Sequence, residues 1–281
     1  MPAGRHRGQA ITPLNRVECH TLPVDSKPVG NQPKAPIPAN PALYPDLAEA
    51  GSLADALERA ATAEGVDIAG AHRSQSDPLR CAVVTSLISE REGVSVILGS
   101  IERVFIISAW SRGIQALSGN TADLREVARI AAAWRTGEPL RGIQSKVSFP
   151  LVKSLAVTQE DGGATAVVAL AWHRLRKAAA EQPTFEPFGN LVEAAYARPE
   201  LRVLFPFTSH GSLHLSQCTG YPFTWTLPFV DHLAEGRYLV CGPTRRDVIG
   251  EADTADQAVT LVAANLPGGC GPAVAGTAND L

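Results

Sequence analysis

At 281 residues the chain is long enough for one large domain or two of ordinary size. A charged fraction of 19% with a net charge of −3 gives no electrostatic case for nucleic acid or an anionic membrane surface. Five cysteines, odd in number and scattered without a C-x-x-C pair, argue against a secreted disulfide framework and predict a cytoplasmic protein.

Residues 1–44 read as a Pro-rich disordered leader, with eight of the 21 prolines and a 34–41 run (Lys-Ala-Pro-Ile-Pro-Ala-Asn-Pro) that favours extended backbone. The basic start passes into Gln9-Ala-Ile-Thr-Pro13 rather than an apolar run, so no signal peptide is expected. The most apolar stretch, Val94–Trp110, is interrupted by Glu102-Arg103, and no membrane span is expected.

The first lobe is expected over 45–140. Ser52-x-x-Asp55 supplies a side-chain acceptor and a carboxylate to a helix start, and Leu53, Leu57, Ala60 and Ala61 draw its apolar face. Val66-Asp-Ile68 reads as a short strand and Ala71–Leu79 as a loop. Strands follow at Cys81–Ser89, Val94–Leu98, Arg103–Trp110 and Gly113–Leu117. Asn120-Thr-Ala-Asp123 opens a second helix with Leu124, Val127, Ile130, Ala131 and Trp134 on one stripe, ended by Gly137 and Pro139.

A connector over 141–188 contains an alanine-rich helix, Ala164–Ala180, and a break at Gln182–Pro187. The pattern then restarts over 189–267. Asn190-x-x-Glu193 caps a helix, strands are expected near Arg202–Phe207, Ser212–Gln217, Phe223–Phe229 and Arg237–Cys241, and Asp253-Thr-Ala-Asp256 caps a closing helix. Ser52 and Asn120 are 68 residues apart, and Asn190 and Asp253 are 63 apart, so the lobes read as an internal duplication. Residues 268–281 form a Gly-rich tail. The expected class is α+β: two related lobes, each a small, mainly antiparallel sheet flanked by helices, joined by a helical connector.

Candidate chemistry concentrates in the second lobe. His210, His214 and Cys218 stand four apart, a metal-ligand spacing on a helix, but Pro206, Gly211 and the Leu213/Leu215 alternation indicate a strand with His210-Gly211 in a turn. Neighbours on a strand face lie about 7 Å apart, so this run alone holds no metal. Ser212, His214, Ser216 and Cys218 then share one face. His214 or His210 would serve as general acid or base, with Cys218 assisting, and Ser212 and Ser216 would line a pocket. The plainer alternative has His214 hydrogen-bonded across the sheet and Cys218 filling space. Arg202, Arg237, Arg245 and Arg246 offer anion binding if they converge, although Arg245-Arg246 lies in a turn-like segment that suits a solvated charge pair. The four tryptophans read as core. The tail's glycines follow a helix and lack the order of a phosphate loop, so no cofactor is expected.

The run Leu204-Phe-Pro-Phe-Thr-Ser-His-Gly-Ser-Leu-His-Leu-Ser-Gln-Cys-Thr, with Asn265-Leu-Pro-Gly-Gly-Cys-Gly-Pro-Ala-Val-Ala-Gly276, resembles an uncharacterised domain family of filamentous soil bacteria labelled "natural product biosynthesis protein". The resemblance implies a setting in specialised-metabolite biosynthesis and supplies no catalytic residues. With no recognisable catalytic constellation in the sequence, the leading functional expectation is an accessory or binding protein of that biosynthesis that holds a peptide or small-molecule intermediate between the lobes. One alternative is a cofactor-independent cyclase, lyase or isomerase using His214 or His210 as proton shuttle, assisted by Cys218 or Arg237. Another is a structural partner that stabilises a pathway enzyme.

Overall fold

The computed structural model describes residues 37–181 and 186–281. The proposed leader up to residue 36 and most of the expected break after Glu181 lie outside the described residues. Two antiparallel five-stranded sheets, each a meander with strands in sequential order, make this an α+β fold of two sheet lobes.

In the first lobe, helices α1 (Pro45–Ala50) and α2 (Leu53–Glu64) precede strands β1 (Ala71–Arg73), β2 (Cys81–Val84), β3 (Val94–Leu98), β4 (Phe105–Ser111) and β5 (Ile114–Thr121). Helix α3 (Leu124–Arg135) closes the lobe against α2. Ser52 caps α2 as its sequence predicts, accepting from the Asp55 amide. Period-2 alternation turns Val94, Val96, Leu98, Phe105, Ile107 and Ala109 into the core beneath the helices. Tyr44, buried ahead of α1, ties that helix to the β3–β4 turn. Its phenol oxygen accepts from the Val104 amide at 3.0 Å and lies 3.0 Å from the carbonyls of Gly99, Glu102 and Val104.

The connector holds α4 (Leu140–Ser145) and α5 (Ser154–Ala180), the latter bent at Gly163, whose φ of 63° is non-helical. Between them, residues 151–153 bond along the open edge of β5: Ser118 N–H donates to Leu151 and Lys153 N–H to Ala116, each at 2.9 Å. In the second lobe, α6 (Glu186–Ala197) and α7 (Pro199–Arg202) lead to β6 (Phe205–Ser209), β7 (Ser212–Ser216), β8 (Phe229–His232), β9 (Tyr238–Cys241) and β10 (Val248–Ala252). Helix α8 (Ala255–Ala264) packs on α6, as α3 packs on α2. Leu213, Leu215, Val230, Tyr238 and Val240 bury the inner face, and Trp172 Nε1 donates to the Leu204 carbonyl at 3.1 Å, anchoring α5.

Several local expectations are corrected. Residues 66–68 are not a strand, because α2 ends in left-handed Gly65 and the chain turns again at left-handed Gly70; pairing starts at Ala71, in the stretch expected to be a loop. Strand β2 stops at Val84, and β10 pairs where no strand was expected. Asn190 lies inside α6 rather than capping it. The caps of α3 and α8 are Asp123 and Thr254, whose side chains reach the Arg125 and Gln257 amides. Arg202 ends α7 instead of opening a strand. Finally, the tail is held in place. Val274 pairs in parallel with Cys218, the Ala273 amide donates to Val203 (3.0 Å), and the Ala278 amide donates to Pro222 (2.7 Å).

The lobes meet at a hairpin tip. Arg112 and Gly113, both with positive φ, form the two-residue turn between β4 and β5. The Gly113 carbonyl accepts from the Tyr221 amide at 2.8 Å, and the Gly220 amide donates to Gly276 at 2.7 Å.

Candidate functional site

Strand β7 behaves as its alternation predicts. Ser209 pairs with Ser212 across the two-residue turn His210-Gly211, where φ is 51° and 87°. That mirror-image turn matches the twist of a hairpin and favours Gly at its second position. The turn fixes the register, setting His214 opposite Phe207 on β6 and, through the Leu213–Val230 pair, beside Phe229 on β8.

Three parallel rings therefore stack across three strands on the outer face of the sheet. Phe207 to His214 is 5.1 Å between centroids at 22°, and His214 to Phe229 is 4.5 Å at 19°. Residues 217–228 arch back over this row. Trp225 stands edge-on to His214 (4.9 Å) and to Phe207 (5.2 Å), and Phe223 packs on Phe207 and Phe205. Phe223–Phe229 is thus not a strand up to its last residue, and Trp225, half exposed, is not core.

Ser209, His210, His214, Trp225, Phe229, Pro243 and Arg245 line a cavity of about 150 Å³. Arg245 holds its rim. The guanidinium donates to Asp231 and to the Ser212 hydroxyl (3.1 Å) and lies 5.4 Å from the Phe229 ring centroid, while Ser212 donates to Asp231. Burial pushes the His214 pKa down from an ordinary 6.5 to about 4, with Asp231 opposing the fall and Arg245 adding to it. The imidazole is accordingly neutral at pH 7, a form that can accept a proton but is a poor acid.

The predicted residues do not all converge. His210 and His214 line this cavity, and Ser212 supports its rim by accepting from Arg245. Ser216 and Cys218 are buried beyond it. The Ser216 hydroxyl donates to the Cys218 carbonyl (2.8 Å), and the Cys218 thiol donates to the Gly220 carbonyl (3.5 Å). They hold the 217–224 loop rather than face a ligand. Arg202 lies at the end of α7 near the Tyr196 ring, and Arg237 pairs with Glu251 at 2.7 Å. Neither takes part. Phe207, Phe229 and Asp231 were missed; their i, i+2 placement on paired strands was the available signal.

A second, larger cavity of about 480 Å³ lies at the junction of the first lobe with α5 and the tail. Ile88, Ile114, Leu140 and Ala156 supply apolar wall, and Ala275 of the tail closes one side. Its charged groups come as two ion pairs, Arg91–Glu160 (3.2 Å) and Arg112–Glu90 (3.2 Å), and Ser111 and Gln159 add neutral polar groups. Arg91 is a strut: it donates to the carbonyls of Trp134 (3.3 Å) and Glu138 (2.9 Å) and lies over the Trp134 ring at 4.5 Å. Burial lowers its pKa, and Glu160 opposes that fall.

Among the described residues no group of three or more His, Cys, Asp and Glu is placed to hold a metal ion, and no helix is long and apolar enough to cross a membrane. Fold and cavities together define a two-lobed α+β protein with one cavity at its junction and an aromatic one on its second sheet. Residues 166–277, the second half of α5 through the tail, match the model of a family of unknown function, DUF6193. The second lobe is therefore similar to an uncharacterised domain. No curated protein and no solved structure matches the chain.

Proposed function

We propose that the chain is an accessory or binding protein of specialised-metabolite biosynthesis that holds a peptide or small-molecule intermediate in the junction cavity. The observation that carries this reading is the cavity itself. Its volume of about 480 Å³ falls in the range of small-molecule sites, about 300–1,000 Å³. Its two ion pairs offer polar contacts to a ligand whose apolar part meets Ile88, Ile114 and Leu140. His214 has both ring faces covered by Phe207 and Phe229, which favours binding over a proton-shuttling enzyme. Two further elements belong to the proposal. The lobes are copies of one ancestral unit, since each runs helix, five-stranded meander, helix with its end helices packed together. The protein works in the cytoplasm, where its scattered cysteines stay reduced.

The test is a metabolite comparison of strains carrying wild type, a deletion, Ala275→Trp or His214→Ala, with protein abundance checked. Ala275→Trp fills the cavity from the tail side, and the expected result is the metabolite profile of the deletion at normal protein level. Normal product from Ala275→Trp, alongside loss in the deletion, would remove the cavity from the function. Accumulation of a precursor only in His214→Ala would move the reading to a tailoring enzyme.

A further inference from the structure

We propose that the aromatic cavity of the second lobe is a separate binding site for a six-membered ring carrying a carboxylate. This site goes beyond the junction cavity and shares no lining residue with it.

Size sets the ring. A space on the order of 150 Å³ with apolar walls takes one benzene-sized group. Shape sets its orientation. Both faces of His214 are already covered, by Phe207 and Phe229, so a flat ring entering the cavity meets the ring edges of His214 and Phe229 and the half-exposed Trp225. Trp225 is half exposed at the wall of an otherwise buried row, where a ligand would cover apolar surface now facing water.

Charge sets the substituent. Aromatic walls alone would favour a cation. Here Arg245 already brings its own cation to within 5.4 Å of the Phe229 centroid, and a second positive charge would meet repulsion. Asp231, the carboxylate beside the site, is taken up by Arg245 and Ser212. Those contacts use two of the five guanidinium donors at the rim. An anionic oxygen on the ring's substituent reaches the remaining donors from the solvent side, where the Arg245 side chain is 58% exposed. The neutral state of His214 keeps the wall uncharged and apolar at pH 7.

The experiment is calorimetric titration of the full chain with three probes of matched ring: phenylacetate, 2-phenylethanol and 2-phenylethylamine. Phenylacetate is expected to bind at least ten-fold tighter than the alcohol, and the amine more weakly than either. Arg245→Gln should bring phenylacetate down to the affinity of the alcohol. Trp225→Ala, at a half-exposed position and with folding checked by circular dichroism, should weaken both at least ten-fold. Ala275→Trp, in the junction cavity, should leave all three unchanged, which separates this site from the function proposed above. Binding of the amine as tightly as phenylacetate would overturn the proposal. So would phenylacetate affinity within two-fold of wild type in Arg245→Gln, or no binding of any probe to the folded wild-type chain.

Discussion

The Gly113 carbonyl accepts from the Tyr221 amide at 2.8 Å, joining a hairpin tip of the first lobe to a loop of the second. Neither side of this contact tolerates added bulk. A Cβ at Gly220 would lie 2.0 Å from the Arg112 carbonyl oxygen, and one at Gly113 would lie 2.6 Å from the Tyr221 oxygen with φ at +72°. Because the obstacles are backbone atoms, they cannot rotate away. Gly220→Ala is expected to destabilise by about 1–3 kcal/mol, read as a lower urea midpoint. Gly268→Ala, whose Cβ meets nothing within 4 Å, is the control and should leave the midpoint unchanged.

Arg91 reaches three acceptors from a nearly buried position, so removing it leaves Glu160 half-buried beside apolar wall. Arg91→Met should cost about 1–3 kcal/mol, below the range for fully buried pairs because Glu160 retains some solvent. The double change Arg91→Met/Glu160→Gln should recover part of that loss. Additive losses in the double-mutant cycle would show that the pair is not coupled.

The depressed pKa of His214 makes a pH prediction with a definite sign. Between about pH 6.5 and about pH 4 the unfolded chain takes up a proton that the folded imidazole refuses. Stability therefore falls as pH falls through that window, by at most about 3 kcal/mol from this residue. His232, whose pKa is also lowered by burial, contributes in the same direction. His214→Phe keeps a ring in the stack and should flatten the slope without abolishing it. Urea unfolding at pH 7.5, 6.5, 5.5 and 4.5 measures the difference, and identical slopes for the two proteins would refute the assignment.

Tyr44→Phe keeps the ring in the core and its edge contact with Phe105 but leaves the Val104 amide without its acceptor. The expected cost is about 1–3 kcal/mol, measured as a lower thermal midpoint. The first lobe should report it, through protection of the β3–β4 amides against hydrogen exchange.

Much of this architecture was legible wherever one segment carried its own signal. Ser52 announced α2, and the Leu213/Leu215 alternation with His210-Gly211 announced a strand and its turn. Strands β1 and β10 carried little such signal, because each lies at a sheet edge and few of its residues are buried. The first half of α5 was hidden by Gly162-Gly163, poor helix formers at the bend. Trp225 was misread because flanking aromatics look the same in a buried strand and in a loop folded over a sheet face. The junction cavity was not legible at all. Arg91, Trp134, Glu160 and Ala275 come from four separate elements, and no local spacing records that they meet.

The seat of the hairpin tip also orders the assembly of the chain in time. Each sheet is a meander, so its strands find partners that are neighbours in sequence and close only short loops. The seat instead needs Tyr221, 108 residues beyond Gly113, and Gly276, a further 55 beyond that. Closing such long loops costs more entropy than forming a local hairpin and is slower to reward. The connectivity thus favours two meanders that form early and a joint between them that sets last.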